Sequence, residues 1–127
     1  MANVVLDASA VLARTLHEPG ADRVDALIDG AWISAVNLAE VAQRLIDGEM
    51  DEMSAITMLE ALPCKIAIFD RADAYDAALL RRETQKRGLS LGDRACLALG
   101  KRLGLPVHTA DRAWAELDLG VEVVLIR

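Results

Sequence analysis

Five short apolar runs, rich in β-branched residues, recur along the chain between longer segments with helical spacing. They predict strands at 3–6, 32–34, 65–69, 106–109 and 121–126. Apolar positions three and four residues apart predict helices at 8–16, 21–29, 38–47, 52–61, 71–87 and 91–103, with a short one at 112–117. Strands that alternate with helices need crossover connections, so the pattern predicts an α/β fold with a mostly parallel sheet of about five strands.

Glycines mark the boundaries of these predicted elements. Glycine can close a helix in the left-handed conformation, and the boundary positions are Gly20, Gly30, Gly48, Gly88, Gly104 and Gly120. Pro106 follows Gly104 where the fourth strand begins. No internal repeat or linker divides the sequence, so residues 1–127 are expected to form a single domain.

The composition fits one apolar core. The 127 residues are 54% hydrophobic and 27% charged. A chain of this length can form one ordinary domain but is too short for two. No apolar run approaches the ~20 residues that cross a bilayer. The start MANVVLDASA also lacks the basic and long apolar regions of a signal peptide. We therefore expect a cytoplasmic protein with no membrane association.

The charge distribution and the metal-binding residue types narrow the chemistry. A formal net charge of −6 disfavours a surface that grips nucleic acid as a whole, although a local basic patch is compatible with it. The densest basic cluster is a solvated helix face or such a patch, and it comprises Arg81, Arg82, Lys86 and Arg87. Neither cysteine nor histidine has zinc-binding spacing, and we expect Cys64 and Cys96 to be small buried residues.

Four acids stand near the starts of predicted helices. Asp7 ends the first strand and Asp111 follows the fourth, while Glu40 lies one turn into the helix after the second strand. Because parallel strands bring their carboxyl ends to one edge, these three acids should lie at that edge. Asp93 follows a helix instead of a strand, so the topology alone does not place it there.

Helix capping offers an alternative reason for each acid. Asp7 and Asp111 can act as N-caps, Glu40 can complete a capping box with Asn37, and Asp93 can do so with Ser90. Capping is sufficient for each acid taken alone. In a structural domain whose acids only cap helices, the four side chains would lie far apart.

A gathered set of acids would have different chemistry. Two like charges ~4 Å apart repel by about 4 kcal/mol at an effective dielectric constant near 20, so a cluster either shifts its pKa values or captures a cation. Oxygen ligands without histidine or thiolate favour Mg²⁺ or Mn²⁺. Such an ion suits hydrolysis of a phosphodiester.

Four ordered blocks carry a family resemblance: VVLDASAVLA, ISAVNLAEVAQRL, LSLGDRACLALGKRLGLPV and HTADRAW. Together they make nearly the whole chain resemble the PIN-domain ribonucleases, among them the VapC toxins of bacterial toxin–antitoxin pairs. The resemblance implies a three-layer α/β/α sandwich. It also implies a catalytic, metal-binding quartet in which Asp93 joins the other three acids: Asp7, Glu40, Asp93 and Asp111.

The same resemblance suggests roles for neighbouring residues. Ser9 and Thr109 are candidate polar supports of the site, with ordinary turn hydrogen bonding as the alternative. Arg94 and Arg112 are candidate RNA contacts. Family members often carry a further polar or acidic residue two positions after the fourth acid, where this chain has Ala113, so a second metal is less expected.

The resemblance implies a Mg²⁺-dependent endoribonuclease toxin, with Mn²⁺ as a substitute, that hydrolyses RNA. It further implies a VapB-like antitoxin as partner and a homodimer. Two alternatives are a catalytically silent PIN-like module that binds a partner protein, and a structural domain with capped helices. The intact quartet weighs against the silent module, and the positions of the acids in space test the structural domain.

Overall fold

The computed structural model describes residues 3–127 and contains one five-stranded sheet. Its strands are β1 (Val5–Leu6), β2 (Trp32–Ser34), β3 (Lys65–Ala67), β4 (Val107–Thr109) and β5 (Val123–Leu125). Their order across the sheet is β3-β2-β1-β4-β5, and every neighbouring pair is parallel. All five predicted strands are confirmed, and β1 occupies the centre of the sheet.

Seven α-helices connect the strands. They are α1 (Ala8–Thr15), α2 (Ala21–Leu27), α3 (Ala35–Asp47), α4 (Glu52–Glu60), α5 (Arg71–Leu79), α6 (Arg81–Thr84) and α7 (Leu91–Leu103). Two short 3₁₀ helices cover Gln85–Arg87 and Arg112–Glu116. None of the helices in residues 3–127 has the length and apolar character needed to span a membrane.

Two predicted helix boundaries are wrong. The helix predicted at 38–47 begins at Ala35, because the Ser34 side chain caps it by accepting from the Val36 N–H at 3.2 Å. The helix predicted at 71–87 is divided into α5, α6 and the first 3₁₀ helix. Within that segment, the Thr84 hydroxyl donates to the Leu80 carbonyl at 2.8 Å, a side-chain bond that competes with regular helix geometry.

The boundary glycines behave as predicted with one exception. Gly104 ends α7 with φ 67°, in the left-handed conformation. Gly48 follows α3 with φ −81° and is not left-handed. The next residue, Glu49, takes that conformation instead, with φ 71°.

The sheet separates two apolar layers. Val4 and Leu6 face one cluster, formed with α1, α2, α3 and α4. Val5 faces the opposite cluster, which α7 fills with Leu97 and the second 3₁₀ helix with fully buried Trp114. The period-2 alternation of a strand explains how three consecutive residues serve both faces. The predicted three-layer α/β/α sandwich is therefore confirmed.

Candidate active site at the carboxyl edge of the sheet

Asp7 lies at the carboxyl end of the central strand. It is the N-cap of α1, where Oδ1 accepts from the Ala10 N–H at 2.8 Å. Only 5% of the residue is exposed. A carboxylate buried to this degree needs hydrogen-bond donors, because desolvation strongly disfavours its charge.

Two hydroxyl groups supply those donors. The Ser9 Oγ donates to Asp7, at 2.7 Å from Oδ1 and 2.9 Å from Oδ2. Thr109 Oγ1, at the end of β4, donates to Asp7 Oδ2 at 2.6 Å. The same hydroxyls accept from backbone N–H groups, Ser9 from Ala110 at 2.9 Å and Thr109 from Asp111 at 3.0 Å. Ser9 and Thr109 therefore each donate to the Asp7 carboxylate and accept from a backbone N–H.

The environment of Asp7 shifts its protonation. Burial raises the pKa of Asp7 from 3.8 to about 6, although the hydrogen bonds from Thr109, Ser9 and Ala10 partly oppose that rise. The negative charge of Asp93 raises the pKa further. Asp7 and Asp93 are therefore close enough to interact electrostatically, although they belong to segments far apart in the sequence.

Glu40 is held between α3 and the start of α7. The Asn37 Nδ2 donates to Glu40 Oε1 at 2.8 Å and to the Gly92 carbonyl at 3.0 Å. A Cβ atom on Gly92 would collide with the Glu40 carboxylate. The sequence interpretation of Asn37 as an N-cap is wrong, since Asn37 lies inside α3 and is 1% exposed.

Asp93 combines capping with a place near the other acids. Its Oδ2 accepts from the Ser90 N–H at 2.9 Å, and the Ser90 Oγ accepts from the Asp93 N–H at 3.2 Å. The predicted capping box is therefore confirmed. Capping and proximity to Asp7 are compatible, because the cap uses one carboxylate oxygen of Asp93.

Asp111 follows β4 and is exposed. It is the N-cap of the 3₁₀ helix Arg112–Glu116, and its Oδ1 accepts from the Ala113 N–H at 3.0 Å. Its backbone N–H bonds to the Thr109 hydroxyl that also donates to Asp7. Thr109 therefore links the backbone of Asp111 to the carboxylate of Asp7.

Cys96 shows that three of the acids share one region. Its thiol is buried in α7, and burial is the main reason that the pKa lies well above its ordinary value. The charges of Asp7, Asp93 and Glu40 each raise the pKa of Cys96 further. The prediction of a buried Cys96 is confirmed, whereas Cys64 is only half-buried. Asp7, Asp93 and Glu40 therefore all lie within electrostatic range of one buried side chain.

The carboxylates have donor chemistry that fits a hard divalent cation. In residues 3–127, no three or more His, Cys, Asp or Glu side chains form a group close enough to hold a metal. Mg²⁺, however, commonly binds through one or two carboxylates and retains several waters. Glu40, Asp93 and Asp111 each have one oxygen in a protein hydrogen bond, and their other oxygens receive none from the described part of the chain.

The basic residues do not all match their predicted positions. Arg94 is 8% exposed, and its Nη1 donates to the Ala77 carbonyl of α5 at 2.9 Å. Arg94 therefore presents its charge to the protein interior, contrary to the expectation of an RNA contact. Arg112 is exposed. The cluster of Arg81, Arg82, Lys86 and Arg87 is also exposed, as expected for a solvated face.

The observed architecture is a three-layer α/β protein with acids at the carboxyl edge of its sheet. The family model of the PIN domain matches residues 4–119, and this chain belongs to that family. The resemblance read from the four sequence blocks is thereby confirmed. No curated protein matches the chain by sequence.

Solved toxin structures share this fold. A toxin–antitoxin complex from Klebsiella pneumoniae is 20% identical with a TM-score of 0.77, and the match covers 98% of each chain. DNA-bound VapBC from Salmonella typhimurium is 16% identical with a TM-score of 0.74, over 100% of both chains. VapC20 from Mycobacterium tuberculosis, described as a Sarcin-Ricin loop cleaving toxin, is 16% identical with a TM-score of 0.73, over 94% of this chain and 99% of that one. At these identities the likeness establishes the fold.

The raised pKa of Asp7 predicts a pH-dependent effect of Asp7→Asn on the metal-free protein. The folded state holds this proton up to about pH 6, whereas an unfolded Asp releases it near 3.8. Stability therefore falls as the pH rises between these values, and the cost persists above them. Asp7→Asn should raise the free energy of unfolding by about 1–3 kcal/mol at pH 8 and change it little at pH 4.

Urea unfolding in EDTA at both pH values measures this difference. Asp118→Asn, at an exposed position, is the matched control. If Asp7→Asn is more destabilising at pH 8 than at pH 4, the hydrogen bonds to the carboxylate outweigh its burial and the expected sign is wrong.

Proposed function

We propose that this PIN-domain protein is a toxin that hydrolyses RNA phosphodiester bonds with Mg²⁺, or with Mn²⁺ as a substitute. The observation that carries the proposal is the buried Asp7 carboxylate at the end of the central strand, whose pKa is raised mainly by burial and further by the charge of Asp93. The VapC20 structure, described as that of a Sarcin-Ricin loop cleaving toxin, supports the choice of RNA. A buried carboxylate with a raised pKa at the carboxyl edge of a sheet is typical of functional sites.

The candidate ligands are Asp7, Glu40, Asp93 and Asp111, of which one or two would bind the ion directly and the others would bind it through its water ligands. A bound Mg²⁺ would supply charge neutralisation at the phosphate and a lower pKa for a water ligand. Ser9 and Thr109 orient Asp7, because their hydroxyls donate to its two oxygens. Burial of Asp7 strengthens its electrostatic attraction to a cation, since the local dielectric constant is low.

We further propose a VapB-like antitoxin as partner, a homodimer, and action in the cytoplasm. The complexes from Klebsiella pneumoniae and Salmonella typhimurium support an antitoxin partner for a chain of this fold. Tyr75 and Leu79 on α5 are 62% and 72% exposed. They provide an unpaired apolar surface of the kind that protein interfaces use.

Cleavage of RNA should require a divalent cation. The all-oxygen set of acids predicts activity with Mg²⁺ or Mn²⁺ and its loss on chelation. The assay follows a labelled RNA with wild-type protein in Mg²⁺, in EDTA, and in EDTA followed by excess Mg²⁺. Undiminished cleavage in excess EDTA would contradict the metal mechanism, and absence of cleavage in every condition would favour the silent binding module.

Asp7→Asn and Asp93→Asn should each reduce cleavage at least about 100-fold while the protein remains folded. Each change removes a charge that would bind the ion but relieves repulsion within the metal-free site. The measurements are cleavage rate and thermal unfolding, with Asp118→Asn as a control that retains activity. If Asp93→Asn instead lowers stability strongly and cleavage only in proportion, its contribution is the capping box with Ser90.

The partner should inhibit by placing an arginine or lysine side chain against the acids. A guanidinium can pair with two carboxylate oxygens and thereby block access of the metal. Replacing the basic residues of the partner's inhibitory segment with alanine should weaken both binding and inhibition. Equal binding of the partner to an Asp7→Asn/Asp93→Asn variant would show that the acids are not its target.

A further inference from the structure

Asn37 occupies a buried position between two elements that carry acids. Its Nδ2 donates to Glu40 Oε1 at 2.8 Å, on the same helix, and to the Gly92 carbonyl at 3.0 Å, on α7. Both partners are acceptors, which identifies the atom that faces them as the amide nitrogen. No other residue type of this size presents two N–H donors in this way. The side chain thus joins Glu40 to the residue immediately before Asp93.

Gly92 has a complementary relation to Glu40. It lies in the first turn of α7, without the positive φ that would itself require glycine. Alanine would favour the helix there over glycine, because its helix propensity is higher. A Cβ atom at this position, however, would collide with both oxygens of the Glu40 carboxylate. Glycine therefore provides the space in which that carboxylate lies.

The place beside Gly92 suits a negative charge. The first turn of a helix has backbone N–H groups without intrahelical partners and carries the positive end of the helix dipole. Glu40 contacts this turn at Gly92, and Asp93 is the residue that follows Gly92. Two acids from distant parts of the sequence are thereby brought to one helix end, where that end offsets part of their mutual repulsion.

We propose that Asn37 and Gly92 are positioning residues that hold the Glu40 carboxylate beside Asp93 and thereby set the affinity of the site for a divalent cation. This proposal rests on the proposed function, because it concerns the same acids. Asn37 acts through the hydrogen bond to Oε1, which leaves Oε2 without a hydrogen bond from residues 3–127. Gly92 acts through the space that it leaves open.

The first test measures thermal unfolding of metal-free protein in a double-mutant cycle. In a Glu40→Ala background no carboxylate occupies the space, so Gly92→Ala should raise the Tm by roughly 2–5 °C through helix propensity. In the wild-type background, the same change must displace the Glu40 side chain and should lose that gain or lower the Tm. An equal Tm shift in both backgrounds would overturn the role of Gly92.

The second test measures binding of Mn²⁺ alone, by calorimetry and by the electron paramagnetic resonance signal of the free ion. Asn37→Asp keeps the side-chain shape but replaces a donor with an acceptor facing Glu40 and the Gly92 carbonyl. Asn37→Asp and Gly92→Ala should each weaken Mn²⁺ binding at least tenfold. Adding Glu40→Asp to Gly92→Ala should recover part of the loss, because the shorter side chain withdraws from the new Cβ.

Gly48→Ala is the matched control. It changes a glycine at the end of α3, where an added Cβ would lie 3.4 Å from the nearest atom, the Arg44 carbonyl oxygen. Mn²⁺ binding should therefore stay unchanged. Affinities within twofold of wild type for both site variants would overturn the proposal. If wild-type protein binds no Mn²⁺, the proposed function and the metal part of this inference both fail. The metal-free cycle then still decides whether Gly92 accommodates Glu40.

Discussion

The burial of one carboxylate at the end of the central strand is the constraint on which the site depends. Asp7 is nearly inaccessible to solvent, and its charge is tolerated because Ser9, Thr109 and the Ala10 N–H all donate to it. These donors come from α1 and from β4, so the hydrogen bonds also fix how the two segments meet. Even with three donors the pKa of Asp7 is about 6, because burial raises it more than the hydrogen bonds lower it.

The acids have structural and chemical uses at the same time. Asp7, Asp93 and Asp111 each accept a backbone N–H at the start of a helical segment, which satisfies groups that would otherwise lack partners. For Asp93 and Asp111 this bond uses one oxygen of two. The choice between capping and metal binding that the sequence leaves open is therefore not exclusive. A helix start both requires an acceptor and stabilises a negative charge.

Much of the fold could be predicted from the sequence, because alternation of strands and helices determines a parallel sheet and its carboxyl edge. Asp7 and Asp111 follow strands, so topology alone predicts that they lie at the carboxyl edge of the sheet. Asp93 follows a helix, and only the family resemblance placed it with them. The start of α3 was missed because Ser34 and Asn37 are both good capping residues. They differ in their hydrogen bonds, because Ser34 accepts from the Val36 N–H, whereas Asn37 donates to the Gly92 carbonyl of a distant segment.

The remaining errors arise from contacts between distant segments. Arg94 is adjacent to an acid in the sequence, but its guanidinium reaches the Ala77 carbonyl because α7 packs on α5. No feature of the sequence around Arg94 indicates that the two helices pack together. The pairing of Asn37 with the Gly92 carbonyl spans 55 residues, and the need for glycine follows from a side chain on another helix. The sequence of either segment alone would reveal neither this pairing nor the need for glycine at position 92.

Asp7, Glu40 and Asp93 are like-charged groups from separate segments, and all three lie within electrostatic range of Cys96. Repulsion would move them apart, so neutral contacts between the segments must supply the attraction. Two such contacts are present: Thr109 joins β4 to Asp7, and Asn37 joins α3 to the start of α7. Both use side chains that are almost fully buried, where a hydrogen bond is stronger than in water and its loss is costly. The positions of these segments at the carboxyl edge of the sheet thus depend on uncharged side chains as well as on the acids.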